Sequence, residues 1–165
     1  MSLAAIQTKA KAKPSIVIIY GPSGLGKTTL AVGSKNPIVL QTEEGLGILT
    51  NNREIPHFPL AKDYDTFYGY LKSLVDADEL DYSTLVVDSL DWLEPLIFAK
   101  TCEAHKQASI ESFGYGRGYV EALKYWREIL DMVNRLRNEK KMRIVLIAHN
   151  QIKAFHDPST ESYDR

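Results

Sequence analysis

The chain has 165 residues, of which 44% are hydrophobic and 25% are charged, the composition of an ordinary single globular domain. Its net charge is −1, so any binding to nucleic acid or to a membrane surface must come from a local patch. The single cysteine, Cys102, excludes an internal disulfide and suits a reducing cytoplasm, and we expect it to be a small core residue. No apolar run approaches the roughly 20 residues of a membrane span, so no membrane partner is expected.

The chain begins with a polar segment that carries alternating lysines at Lys9, Lys11 and Lys13. This composition predicts a flexible tail over residues 1–14 and argues against a signal peptide. The folded domain is then expected to occupy residues 15–165.

Four short apolar runs predict the strands of a sheet. They are rich in β-branched residues and do not alternate with polar ones, which is typical of parallel strands buried on both faces. The runs are Ser15–Tyr20, Pro37–Gln41, Ser83–Asp88 and Arg143–His149. A turn-rich segment, Gly45–Pro59, is expected to contain a short edge strand around Ile55–Phe58.

Helical periodicity separates these runs. It predicts a short amphipathic helix over Asp65–Val75 and a long helix from Tyr119. The apolar stripe of the long helix is predicted to consist of Leu123, Trp126, Leu130 and Val133. Buried strands that alternate with helices predict an α/β fold in which helices flank a mainly parallel sheet.

The sequence GPSGLGKTT directly follows the first predicted strand and matches the phosphate-loop pattern G-x-x-x-x-G-K-[ST]. Its glycines allow successive backbone N–H groups to turn inward, and these amides, with the start of the next helix, form a positive cradle for phosphate. Lys27 is expected to reach the β- and γ-phosphates, and Thr28 to offer its hydroxyl to Mg²⁺. The motif therefore predicts binding of ATP with Mg²⁺. The residues predicted to contact the nucleotide are Gly21, Pro22, Ser23, Gly24, Leu25, Gly26, Lys27, Thr28 and Thr29.

The third predicted strand ends in TLVVD, an apolar run closed by an acid, which is typical of a Walker B strand. Asp88 is expected to hold Mg²⁺ together with Thr28, and to contact the nucleotide site. The segment DSLDWLEP also begins a helix, so Asp88, Ser89 or Asp91 could cap it. The capping role and the metal-binding role are compatible.

Hydrolysis needs a group that orients or deprotonates water. Many ring ATPases have a glutamate directly after the Walker B aspartate, but here that position is Ser89, so the acid must come from elsewhere or turnover is poor. The acids of LQTEEG, Glu43 and Glu44, follow the second strand, and ligands bind at the carboxyl ends of parallel strands. Two adjacent acids cannot both face the γ-phosphate, and we favour Glu43. The alternative is a pair of solvated turn acids.

Polar residues also follow the fourth strand, in IAHNQIK. His149, Asn150 or Gln151 could sense the γ-phosphate through a hydrogen bond. Capping of the strand end is the alternative interpretation.

Together these motifs resemble the RecA-like branch of P-loop ATPases, and more narrowly the phage-type nucleotide-binding proteins related to RecA-family recombinases and single-strand annealing proteins. The resemblance covers Ser15–Lys153. It implies that Glu43 is the catalytic acid, acting with Lys27, and that Gln151, with His149 beside it, couples the γ-phosphate to DNA binding. It also implies two DNA-binding loops, one within Ala104–Tyr119 and one from Lys153 onwards.

The first of these loops contains SFGYGRGY, in which aromatic rings could stack on bases and an arginine could meet phosphate. The predicted DNA-binding residues are Phe113, Tyr115, Arg117 and Tyr119. The alternative is a hinge loop whose aromatic side chains pack against the domain surface or a neighbouring subunit.

The function implied is Mg²⁺-dependent ATP hydrolysis coupled to single-stranded DNA binding in phage or prophage recombination or repair, by a homo-oligomeric ring or filament in the bacterial cytoplasm. One alternative is a nucleotide-gated, non-catalytic module that assists helicase loading or DNA packaging, and another is a small-molecule or nucleotide kinase. Domains of the resembled branch usually continue with further strands, so the chain is expected to be either a fragment or a smaller sheet. No finger residue acting across a subunit interface can be assigned.

Overall fold

The computed structural model describes residues 12–47 and 54–150, together with the backbone of two short strands at Ala154–Phe155 and Tyr163–Asp164. The first eleven residues of the predicted tail, Gln151 and most of the predicted second DNA-binding loop lie outside the described residues. Among the helices described, none combines the length and the apolar character that crossing a bilayer would require.

Four parallel strands form the central sheet: β1 (Ile16–Gly21), β2 (Pro37–Gln41), β3 (Thr84–Asp88) and β4 (Arg143–His149). Their spatial order is β1-β4-β3-β2, and every pairing is parallel. The predicted parallel sheet is therefore confirmed. The edge strand predicted near Ile55–Phe58 is reduced to one bridge, between Val39 and His57. The strands β5 (Ala154–Phe155) and β6 (Tyr163–Asp164) pair separately and antiparallel.

The helices are α1 (Lys27–Val32), α2 (Tyr64–Asp76), α3 (Leu90–His105) and α4 (Arg117–Asn138). They cover both faces of the sheet, with α1 on one face and α2–α4 on the other. Successive side chains of a strand point to opposite faces, so each strand can pack against both layers of helices. One core cluster joins α2, α3 and α4 to alternate residues of three strands, and a second joins α1 to the residues between them. The strand residues of the first cluster are Ile38, Leu40, Leu85, Val87, Ile144 and Leu146, and those of the second are Val39, Val86, Val145 and Ile147.

The strand β1 is less buried than its sequence predicts. It is one of the two outer strands of the sheet, and on its face toward α2–α4 Ile18 is 58% exposed and Tyr20 is 77% exposed. Among the described residues, the core formed with α2–α4 takes members from β2, β3 and β4 but none from β1. The prediction of burial on both faces is therefore wrong for this strand, since an apolar run does not reveal where a strand lies in the sheet.

The buried face of α4 also differs from the predicted stripe. Leu123 and Leu130 are 43% and 47% exposed, whereas their neighbours Ala122 and Ile129 are buried. Val133 of the predicted stripe is buried and Trp126 packs against the core, so only the Leu123 and Leu130 positions are displaced, by one residue or about 100° around the helix. Both stripes are apolar, so the pattern alone could not choose between them. The buried residues of α4 are Gly118, Ala122, Tyr125, Ile129, Met132, Val133 and Leu136.

A close approach at Gly118 explains one glycine of the GYGRGY segment. A Cβ atom at this position would lie 2.3 Å from the backbone oxygen of Ile110 and 2.9 Å from the ring of Phe113. The 3₁₀ turn Ile110–Phe113 therefore packs directly on the first turn of α4. Gly69 in α2 offers a contrast, because a Cβ atom there would meet nothing within 4 Å.

We expect opposite effects when these two helical glycines are replaced by alanine. Gly69→Ala should raise the free energy of unfolding by about 0.5–1 kcal/mol, because glycine is entropically costly inside a helix. Gly118→Ala should lower it, because the added methyl group overlaps a backbone carbonyl. Urea unfolding followed by circular dichroism measures both changes. Equal stabilisation by the two variants would show that the turn does not pack on α4.

Candidate nucleotide site

The loop between β1 and α1 has a backbone that only glycine adopts at little cost. Gly24 and Gly26 have φ angles of 83° and 77°, in the left-handed region. Gly26 immediately precedes α1, so the left-handed turn ends the loop and directs the chain into the helix that carries Lys27 and Thr28. The motif glycines therefore shape the loop as the sequence predicts.

Lys27 is 7% exposed, and its ammonium group is turned back onto its own loop. Its Nζ donates to the carbonyl oxygens of Gly21 at 3.0 Å and Pro22 at 2.9 Å. A buried ammonium group requires such partners. A polyphosphate in the loop would offer it charged acceptors, which make stronger hydrogen bonds than carbonyl groups do.

Thr28 and Asp88 meet across the site, although they are far apart in sequence. The Thr28 hydroxyl donates to Asp88 Oδ2 at 2.7 Å. The other carboxylate oxygen, Oδ1, is buried and has no hydrogen-bond partner within the described part of the chain. Burial raises the pKa of Asp88; the Thr28 hydrogen bond opposes this change, and the nearby charge of Glu43 adds to it.

These features fit a bound cation, because a buried carboxylate oxygen without a partner is energetically costly and a cation would compensate it. Within the described ranges, no group of three or more His, Cys, Asp or Glu side chains is gathered as a metal site. Magnesium does not require one, since it commonly binds through one or two protein groups together with phosphate oxygens and water. Thr28 and Asp88 are the residues that would hold it.

Glu43 and Glu44 follow β2 and both border the same cavity. Their environments differ. The Glu43 side chain is 25% exposed and its Oε1 lies 3.8 Å from Nδ1 of His149, whereas Glu44 is exposed. Glu43 is therefore the more enclosed of the two, while its role as the catalytic acid stays a prediction.

Thr42, which the sequence analysis did not identify, fixes the loop that carries Glu43. Its backbone N–H donates to the Asp88 carbonyl at 2.8 Å. Its buried hydroxyl donates to the Ser89 carbonyl at 2.7 Å and accepts from the Ser89 N–H at 2.9 Å. The end of β2 is thus tied to the end of β3. The only sequence signal is a small hydroxyl residue before two acids, and that pattern is common.

The predicted phosphate, metal and acidic residues lie around one cavity of 340 Å³ at the carboxyl ends of the strands. Gln151 lies outside the described residues. Three predicted nucleotide contacts, Gly21, Pro22 and Leu25, do not border the cavity, although the carbonyl groups of Gly21 and Pro22 accept from Lys27. The cavity is lined by Ser23, Gly24, Gly26, Lys27, Thr28, Thr29, Glu43, Glu44, Gly45, Asp88 and His149.

The predicted DNA-binding residues lie elsewhere, between α3 and the first turn of α4. The Phe113 ring packs edge-on against His105 at 5.3 Å, and the Tyr119 ring against Phe98 at 5.4 Å. Tyr115 is fully exposed, and Arg117 is exposed at the start of α4. Two rings thus pack on the domain, as the hinge interpretation predicts, while Tyr115 and Arg117 face solvent.

We expect Thr42→Val to lower the free energy of unfolding by about 1–3 kcal/mol, because it leaves the buried N–H and carbonyl of Ser89 without their partner. Valine has nearly the same shape as threonine, so a packing defect is not the cause. Thr42→Ser keeps the hydroxyl and serves as the matched control. Thermal and urea unfolding measure the difference, and a valine variant as stable as the serine variant would contradict this role.

Comparison with known proteins agrees with this geometry. The family described as "AAA domain" matches residues 13–165. The SPbeta prophage-derived uncharacterized protein YorG of Bacillus subtilis strain 168 is 26% identical over 134 residues, which are 81% of this chain and 40% of that protein. The chain therefore spans less than half the length of this relative. Because the family match covers nearly all of the chain and includes the phosphate loop, the chain belongs to the AAA domain family of P-loop nucleotide-binding proteins.

Proposed function

We propose that the protein is a Mg²⁺-dependent ATPase of the RecA-like type that binds single-stranded DNA and acts in phage or prophage recombination or repair. The observation that carries the proposal is the convergence of Lys27, Thr28, Asp88 and Glu43 on one cavity. In an open parallel sheet this rim is where ligands bind. The prophage origin stated for the Bacillus subtilis relative is compatible with the biological setting.

Each of these residues has a distinct task in the proposed hydrolysis. The loop amides and Lys27 bind the phosphates and balance the negative charge that develops on them. Thr28 and Asp88 hold Mg²⁺, which supplies Lewis-acid stabilisation of the phosphate oxygens when bound. Glu43 orients the attacking water and accepts its proton.

Binding of DNA is proposed for the exposed part of the segment between α3 and α4. The Tyr115 side chain is exposed and can stack on a base, and Arg117, two residues further along the chain, offers a positive charge. In a protein of net charge −1, such local contacts must supply the affinity. ATP would favour the DNA-binding state of a homo-oligomer, and hydrolysis would release it.

A nucleotide-gated module without catalysis is the second candidate. It is favoured by Ser89, which follows Asp88 where many ring ATPases have a glutamate. The backbone N–H and carbonyl of Ser89 are both engaged by Thr42. In that case the site would bind ATP and change its contacts, but turnover would not depend on Glu43.

We expect Glu43→Gln to lower the rate of ATP hydrolysis by about 10²–10⁴-fold, the usual contribution of a general base, while ATP affinity stays close to that of the unchanged protein. Glu44→Gln is the matched control and should retain most of the activity.

Lys27→Ala should abolish ATP binding. Lys35→Ala, which removes an exposed lysine just beyond α1, should not. Phosphate release and calorimetric titration measure the two effects. Unchanged turnover in Glu43→Gln would favour the non-catalytic module.

We expect single-stranded DNA to stimulate hydrolysis in the unchanged protein. Tyr115→Ala should weaken DNA binding by about 1–3 kcal/mol, the value of one base–aromatic stack. Arg117→Ala should weaken it and reduce its dependence on salt, while Arg127→Ala, which removes an exposed arginine from the same helix, should not. Fluorescence anisotropy over a salt titration measures these changes. Equal hydrolysis with and without DNA at every salt concentration would refute the coupling.

A further inference from the structure

Asp91, which is not among the predicted site residues, hydrogen-bonds to His149 at the end of β4. Asp91 lies in the first turn of α3. Its Oδ1 accepts from the backbone N–H of His149 at 2.9 Å, and its Oδ2 lies 2.8 Å from Nδ1 of the same residue. One side chain therefore fixes both the backbone and the ring of His149.

This pairing determines which nitrogen of the His149 ring carries a proton. Burial raises the pKa of Asp91, but the hydrogen bonds that it accepts, chiefly from the backbone N–H and the ring of His149, together bring this pKa below its ordinary value. An ionised carboxylate only accepts hydrogen bonds. Nδ1 must therefore carry a proton, whether the ring is neutral or charged.

We propose that Asp91 is a positioning residue of the nucleotide site, which fixes the orientation and the Nδ1–H tautomer of His149 and so leaves Nε2 as the nitrogen that a ligand can use. His149 borders the phosphate cavity, and its Nδ1 lies 3.8 Å from Oε1 of Glu43. The inference rests on the proposed function, because it assigns His149 a part in ATP turnover.

The fixed tautomer restricts what His149 can do. A neutral ring would present a lone pair at Nε2, which can accept a hydrogen bond from water but cannot donate one to a phosphate oxygen. Two carboxylates lie near the ring from separate elements, Asp91 from α3 and Glu43 from the loop after β2, and the charge of Asp88 at the end of β3 also interacts with it. The ring thus links the helix after β3 to the acid proposed to activate water.

The variant Asp91→Asn tests this arrangement, because an amide has one accepting and one donating end. If its oxygen keeps the backbone N–H of His149, its NH₂ group faces Nδ1 and requires that nitrogen to be without a proton. Imidazole ¹⁵N NMR of the full chain without nucleotide, at alkaline pH, should show the Nδ1–H form in the unchanged protein and the Nε2–H form in Asp91→Asn. This measurement does not depend on ATP hydrolysis.

The kinetic arm uses the same variant. Asp91→Asn should lower kcat by about 10–100-fold, the range known for partners that orient a metal-ligating histidine, with KM changed by less than about threefold. Asp91→Glu, which restores an acceptor-only group, should recover part of kcat and the Nδ1–H form. Glu94→Gln, an exposed acid in the next turn of α3, is the control for charge and should match the unchanged protein. In a His149→Ala background, Asp91→Asn should cause little further loss.

Two results would overturn the inference: an Nε2–H ring in the unchanged protein, or an Asp91→Asn variant that folds and matches Glu94→Gln in kcat. If Asp91→Asn does not fold, the tautomer of the unchanged protein and the Asp91→Glu variant still decide the question. If the unchanged protein hydrolyses no ATP, the proposed function fails, while the ring measurement separately tests whether Asp91 fixes the His149 tautomer.

Discussion

The hydrogen bond from Thr28 to Asp88 joins the phosphate loop to the centre of the sheet, and the candidate site depends on it. It is one of three connections made by the short segment from Asp88 to Asp91. Asp88 and Ser89 bind Thr42 at the end of β2, and Asp91 binds His149 at the end of β4. The segment after β3 therefore fixes the phosphate loop and the ends of β2 and β4, which surround the cavity.

These connections arise from the parallel sheet. All four strands run in the same direction, so each loop that follows a strand emerges at the same rim. The two central strands, β3 and β4, contribute Asp88 and His149, and the outer strands contribute the phosphate loop and Glu43. Buried apolar residues on both faces hold the strands in register. The parallel sheet thus both forms the packed core and brings the polar residues of the site to one rim.

The segment between α3 and α4 is held by close packing and aromatic contacts, not by the hydrogen bonds that connect the nucleotide site. Gly118 allows the 3₁₀ turn to pack against α4, while two of its aromatic rings lie against neighbouring side chains. What extends into solvent is Tyr115, whose φ of 50° places it in the left-handed region at the tip of the turn. The segment is therefore a packed turn in which the Tyr115 ring is fully exposed and the Tyr119 ring is 43% exposed.

By itself, the sequence determined the phosphate loop, the bounds of the strands to within a residue or so, and the parallel sheet, because these depend on local spacing and on apolar runs. Only the tertiary structure decided that β1 lies at an edge, that Ala122 and Ile129 are buried in place of Leu123 and Leu130, and that Thr42 and Asp91 hold the site together. Burial depends on which elements cover a face, and hydrogen bonds between residues 47 or 58 positions apart depend on strand order. Neither property is encoded in a local pattern of residues.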